Sequence, residues 1–330
     1  MRIFIIWLLG LMWFNERDVK TIRFSGQAQG TSYHITYFAK DSLVIQQQVD
    51  SIFNKIDSSL SLYKPYSLIN RFNQSKDGIE ADDHVALVVK KALKVYRKTN
   101  GFFDITIYPL TDAWGFGPVK RDNLPDSAKV YALLPLVDSR LIRVEGNRIY
   151  KRNRGIKLDP NGIAQGYTVD VIADFFEKNG IQNYIIELGG EIRVRGRKPN
   201  GAKMSIGIEQ PANDGEPMVI NRVIYPGDGA ITTSGNYKRF VESRGKKLSH
   251  LIDAHSGYPV DNELISVTVF AKDAMTADAY DNAIMAMGLK RGMAFVNKNP
   301  GLAAYFIFRR ADGSIGDTMT KRFVKLLKDK

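Results

Sequence analysis

Apolar residues recur along this chain in two rhythms. In residues 42–59, Val44, Val49, Ile52, Phe53 and Ile56 share one face of a 3.6-residue helix. Residues 83–99 repeat the pattern with Val85, Val88, Val89, Ala92, Leu93 and Tyr96, and Asn100-Gly101 follows as a C-cap. The same spacing predicts helices over 163–180, 274–287 and 291–297, with a short one at the end of 61–73. Alternation with period two predicts a strand pair over 20–39 turning at Gly30, and a strand through Phe103, Ile105 and Ile107 that Pro109 stops. It also predicts a hairpin over 141–151 around Glu145-Gly146-Asn147, a strand end at 157–159, and a meander running from 184 to 243. A strong strand follows at 264–271, then a last hairpin from 303–308 to 322–326 around 311–314. Residues 119–135 are polar and proline-bounded, which predicts a surface loop with a short helix. Helices and antiparallel strands without a steady β-α-β alternation define the α+β class, with mixed or antiparallel sheets and packed helices.

The first residues stand apart from this patterning. Arg2 precedes an apolar run of about a dozen residues, which is short for a membrane span and fits a secretory signal or an uncleaved anchor. Residues 1–17 are therefore set aside, and an exported chain, periplasmic or held at the inner membrane, is expected. Residues 18–330 are expected to form one domain, or two intimately packed subdomains.

Composition removes several chemistries. There is no cysteine, so disulfides, thiolate metal sites and cysteine nucleophiles are excluded. Only four histidines occur, and no HExxH, GxGxxG or P-loop pattern, which disfavours zinc peptidases, Rossmann enzymes and NTPases. The net charge of +12 is scattered rather than gathered into a stripe with aromatics, so no nucleic-acid partner is expected and a basic solvated surface is.

Two stretches concentrate the remaining chemistry. KLDPNGIAQGYTVD, residues 157–170, runs through a breaker cluster at Pro160-Asn161-Gly162 into a helix. Free N–H groups and the positive end of a helix dipole there suit a phosphate, and carbonyls of the turn suit a cation; an ordinary connecting turn has the same pattern. TADAYDNAIMAMG, residues 276–288, places Asp278, Asp281 and Asn282 at i, i+3 and i+4. On a helix all three share one face, and two carboxylates so close repel unless a cation lies between them. Hard oxygen ligands suit Mg²⁺, while an acidic start favoured by the helix dipole explains the charges without a metal. Tyr63 and Tyr66 either stack on a flat ring or simply pack, and the Trp114–Gly117 turn serves as a ligand wall or a plain corner. His250 is a candidate general base with Asp253 nearby, or a structural histidine.

In order along the chain, Gly30-Thr31-Ser32-Tyr33, residues 61–73, Phe103-Asp104-Ile105-Thr106 with Pro109-Leu110 and Trp114-Gly115-Phe116-Gly117, residues 158–170, 187–191, 233–237, 250–260 and 276–288 resemble the FAD:protein FMN transferases, the ApbE family. The resemblance covers nearly all of residues 20–310 and implies an ApbE-like, T-fold-related α+β architecture. It implies a Mg²⁺-dependent reaction that splits FAD, attaches FMN through its phosphate to a Thr or Ser hydroxyl of an acceptor flavoprotein, and releases AMP. The expected acceptor is a membrane or periplasmic redox protein. By the same resemblance Asp278, Asp281, Asn282 and the carbonyl of Gly162 are metal ligands. Gln29, Tyr63, Phe102, Phe103, Asp104, Asp159, Gln165 and Ile252 match FAD-contacting positions. His250 matches the histidine that assists deprotonation of the acceptor. This chain departs from the family pattern in having Asn282 for Thr, Gln165 for Lys and Gln29 for Met. Hydrolysis of FAD to free FMN and AMP, or binding of FAD without chemistry, are the alternatives.

Overall fold

The computed structural model describes residues 19–119, 121, 123–210, 219–236, 240–243 and 246–328. The N-terminal signal or anchor expected at 1–17, and part of the strand expected at 237–243, lie outside the described residues.

Eight strands form one sheet in the order Lys20–Ala28, Thr31–Ala39, Tyr184–Leu188, Glu191–Arg195, Gly229–Gly235, Leu264–Ala271, Ala303–Arg309 and Ile315–Met319. Every neighbouring pair is antiparallel, as the α+β reading requires. Among the described residues the α-helices are α1 (Gln46–Leu60), α2 (Leu68–Gln74), α3 (Asp83–Thr99), α4 (Tyr108–Ala113), α5 (Ser127–Leu133), α6 (Ala164–Lys178), α7 (Ala274–Lys298) and α8 (Lys321–Val324). Helices α6 and α7 cover one face of the sheet. Val169, Ile172 and Phe176 of α6 pack on Ile35, Tyr37, Tyr184 and Ile186. Ala277 and Ile284 of α7 pack on Val267, Val269, Ala304 and Phe306, with α3 behind them. The other face is closed by the hairpin of Ile206–Gln210 and Val219–Ile224 and by the C-terminal turn. The strand Leu264–Ala271 is therefore covered on both faces, which explains its nearly unbroken apolar sequence.

Three segments fold differently from their predicted periodicity. Residues 103–107 are not a strand: Asp104 accepts from the Thr106 N–H and hydroxyl, 2.8 and 2.6 Å, and starts a 3₁₀ turn, Ile105–Ile107. Pro109 does not end an element but sits in the first turn of α4, where its missing N–H has no bond to lose. Residues 157–159 are not a strand end: they belong to no helix or sheet. Finally, the hairpin partner of Ala303–Arg309 is Ile315–Met319, and residues 322–326 are helical with Phe323 buried. The two helices expected at 274–287 and 291–297 form α7, broken by the left-handed Gly288 at φ 76°. The Glu263 carboxylate accepts from the Leu289 N–H at 2.8 Å and caps the second half.

Candidate active site

The two stretches that carried chemistry in the sequence meet where the first turns of α6 and α7 cross. Asp170 of α6 accepts from Ala274 N at 2.9 Å and Met275 N at 2.8 Å, so one carboxylate satisfies two orphan donors of α7. Burial pushes the Asp170 carboxyl up to about 6. Four residues earlier the helices touch backbone to backbone. A Cβ at Gly166 would lie 2.4 Å from the carbonyl oxygen of Ala274, so only glycine fits. The Gly166 N–H donates to Asp278 Oδ2 at 2.9 Å.

Asp278 and Asp281 are 3% and 2% exposed, so the acidic face of α7 is as buried as its apolar face. Burial holds both carboxyls well above their usual range, and the Asp278 and Glu191 charges push Asp281 further in the same direction. What holds them together is the amide of Asn282. Its Nδ2 donates to Asp278 O at 2.9 Å, Asp281 Oδ1 at 3.0 Å, Asp278 Oδ1 at 3.3 Å and Gly162 O at 3.5 Å. Its Oδ1 accepts from Ser234 Oγ at 3.3 Å. The amide nitrogen thus sits among oxygens that only accept, in the manner of a cation.

That donor set fits Mg²⁺. It is all oxygen, it has two carboxylates, and the others are neutral, which leaves positions for water or phosphate. Among the described residues no group of three or more His, Cys, Asp or Glu could hold a metal ion, so a cation here would need the neutral oxygens as well. Turning the amide would bring Asn282 Oδ1 to the ion. In the metal-free protein the amide hydrogens offset carboxylate repulsion. Asn282→Ala is therefore expected to lower metal-free stability at pH 8 by about 1–3 kcal/mol, the cost of leaving buried acceptors unpaired. Thermal unfolding in EDTA and in Mg²⁺ checks this, with the loss expected in EDTA and largely reversed by the ion.

The remaining predicted site residues lie at several places in the fold, and of these Phe103 adjoins the cage. The Phe103 ring lies against Gly162, 3.4 Å from where a Cβ would stand. Phe102 is flanked by His255, with centroids 4.7 Å apart, and by the Arg291 guanidinium at 4.9 Å. The Asp104 side chain is buried and bonded to Thr106 and Ser139, and its carbonyl accepts from Ile107 N at 3.3 Å. Asp159 is also buried, accepting from Thr111 Oγ1 at 2.9 Å and Asn161 N at 3.0 Å. Burial raises both carboxyls despite these bonds.

Gln29 occupies the left-handed corner of the first hairpin at φ 51° and donates to Thr168 Oγ1 on α6 at 3.1 Å. A hollow of about 450 Å³ beside it is lined by Gly30, Thr31, Asp57 and Lys64 among others. Gln165, in the first turn of α6, reaches the Gly189 turn. Tyr63 lies 57% exposed in the loop before α2. His250 and Ile252 belong to a separate corner. Ile252 packs with Leu110, Trp114 and Val130, and His250 meets the Phe116 ring edge-on at 6.4 Å. Trp114 Nε1 donates to Gly257 O at 2.8 Å and ties the two aromatic and glycine-rich turns together.

Ser234, Gly166 and Asp170 had no assigned role in the sequence reading, although each lies in or beside a quoted motif. Their partners are 48, 112 and 104 residues away along the chain, so no local spacing signals them.

The eight-stranded antiparallel sheet with α6 and α7 packed on one face is the fold of solved flavin transferases. The solved flavin transferase ApbE from Vibrio cholerae matches with a TM-score of 0.84 and 33% identity, covering 94% of this chain and 100% of that one. An FAD:protein FMN transferase of Vibrio cholerae serotype O1 is 35% identical over 305 residues, 90% of each chain. One from Haemophilus influenzae is 31% identical over 328 residues, 96% of this chain and 94% of that one. The ApbE family pattern matches residues 29–306. The chain belongs to the ApbE family.

Proposed function

We propose that this chain transfers the FMN half of FAD to a Thr or Ser hydroxyl of an acceptor protein and releases AMP. The observation that carries the reading is the buried oxygen cage of Gly162, Asp278, Asp281 and Asn282 beside the first turn of α6. Mg²⁺ bound there would neutralise charge on the pyrophosphate oxygens. The cage oxygens would hold it, and the α6 first turn would favour the phosphates through its dipole. Tyr63, Phe102 and Phe103 offer rings to the flavin, and Gln29 and Gln165 offer neutral amides. In the transfer the acceptor oxygen forms a bond to the FMN phosphorus. The phosphorus–oxygen bond to the AMP phosphate breaks, and the hydroxyl proton passes to His250.

The apolar run after Arg2 supports export, with an acceptor on the outer side of the membrane. Among the described residues no helix is long and apolar enough to cross a membrane.

The deciding assay mixes the chain with FAD, Mg²⁺ and a small protein bearing an exposed Thr, then weighs the acceptor. A mass gain equal to FMN, lost in EDTA, is expected. FMN and AMP both free in solution would replace transfer by hydrolysis. His250→Ala is expected to lower kcat about 100-fold or more, the usual share of one proton-transfer group, while leaving the Kd for FAD within about threefold. Equal loss in both would make His250 a binding residue.

A further inference from the structure

Helix α2 is only seven residues long, yet two of its side chains hold the two halves of the site. Asn70 Nδ2 donates to Leu62 O at 3.0 Å and Lys64 O at 2.9 Å, the carbonyls on either side of Tyr63. It also reaches Ser61 O at 3.4 Å. Without Asn70 these carbonyls would lose their side-chain anchor and the tyrosine loop its fixed shape.

Asn73, one turn further on, is buried and uses both ends of its amide on a single residue. Its Nδ2 donates to Leu158 O at 3.0 Å, and its Oδ1 accepts from Leu158 N at 2.7 Å. This is the pairing a neighbouring strand would supply, and it satisfies both backbone groups of Leu158 where no sheet strand does. Leu158 leads directly into Asp159, whose N–H donates to Ile105 O at 2.7 Å, and then into the turn that presents Gly162 O to the cage. Lys151 Nζ fastens the same junction, donating to Phe72 O and Ile156 O, both at 3.0 Å.

We propose that α2 is a spacer, with Asn70 and Asn73 as positioning residues that set the distance between the ring-contacting loop at Tyr63 and the cation-binding turn at Gly162. The flavin ring and the pyrophosphate of FAD are joined by a chain of limited reach, so the two sites must be held in register for phosphorus to meet its nucleophile. The proposal rests on the flavin-transfer reading. Neither asparagine needs to touch FAD.

The test compares Asn70→Ala, Asn73→Ala and the double variant, in the full chain, by three readouts. These are the Kd for FAD in EDTA by flavin fluorescence, the Kd for Mn²⁺ by electron paramagnetic resonance, and kcat for transfer. Asn70→Ala is expected to weaken FAD about 5–10-fold and leave Mn²⁺ within about twofold, and Asn73→Ala the reverse, as expected for loss of anchoring hydrogen bonds on one side only. Each is expected to lower kcat about 30–100-fold, since a misplacement of about 1 Å suffices for that. The double variant should fall within about threefold of the worse single variant, because either change already breaks the register.

Full kcat in either single variant, kcat losses that multiply, or both affinities falling together in step with the folded fraction would overturn the spacer. Where an alanine variant is unfolded by circular dichroism, Asn→Ser replaces it under the same criteria. A wild-type chain that binds FAD and Mn²⁺ but transfers nothing would sink the transfer reading, and the two affinities alone would then decide on the spacer.

Discussion

Asp281→Asn is expected to raise the melting temperature of the metal-free protein at pH 8 and to abolish flavin transfer. Asp281 is buried beside Asp278, and both carboxyls are held above the usual range. The isosteric amide removes one charge from the repelling pair, a gain on the order of 1–4 kcal/mol for a buried ion without a full partner. It also removes one of two anionic ligands, so transfer should fall at least about 1,000-fold, the scale of losing one main electrostatic contact in a water-poor site. Stability and activity thus move in opposite directions at one residue.

The sign of the pH dependence follows from the same shift. A carboxyl raised in the fold binds a proton there that the unfolded chain has already lost. Between the unfolded value of about 4 and the folded value of about 7 for Asp278, the native state therefore holds more protons. Its stability contribution is complete below that window and is lost as pH rises through it. Metal-free wild type should lose stability from pH 4 to 8 more steeply than Asp281→Asn, and Mg²⁺ should restore only the wild type at the upper end. Thermal unfolding across that range, in EDTA and in Mg²⁺, checks both statements. Parallel slopes for the two proteins would show that the pair does not titrate as a cage.

The second large effect is expected from Gly166→Ala. The new Cβ would lie 2.4 Å from Ala274 O, 2.7 Å from Ala274 C and 2.8 Å from Asp278 Cβ. Two of these atoms are backbone at the start of α7, held there by Asp170, so neither can swing aside. The helices must separate, which costs about 1–3 kcal/mol as overpacking. The shift also pulls Asp278 from the Gly166 N–H and opens the cage toward Gly162. A displacement of about 1 Å is enough to lower transfer about 100-fold. Gly227→Ala is the control, since nothing lies within 4 Å of a Cβ there. A Gly166→Ala protein with wild-type melting and wild-type transfer would mean that the α6–α7 contact has slack.

The misread segments show where local pattern stops being informative. Phe103, Ile105 and Ile107 alternate as a strand does, but Asp104 bonds back to Thr106 and turns the chain. A side chain that competes with sheet bonding by closing a local turn outweighs apolar alternation. Residues 322–326 read as the closing strand of the last hairpin, yet the partner strand is Ile315–Met319 and a helix buries Phe323 instead. Asp104 and Asp159 were picked out as contact residues, and both carboxylates are engaged with neighbours inside the protein.

The sequence by itself determined the helix that carries Asp278, Asp281 and Asn282 on one face, because that face is set by a 3.6-residue repeat within a single turn. It determined equally the breaker at Pro160–Gly162, the hairpin at Gly30 and the α+β class, all products of local backbone preference. The family resemblance already groups the Gly162 carbonyl with the acidic pair, but only the tertiary structure decided that the Asn282 amide bridges Gly162 O, 120 residues earlier, to both carboxylates, and that Asn73 pairs with Leu158 as a strand would. The reason is physical: these contacts join groups brought together by packing α6 on α7 and α2 on the turn, and no periodicity along the chain encodes which distant carbonyl a side chain will find.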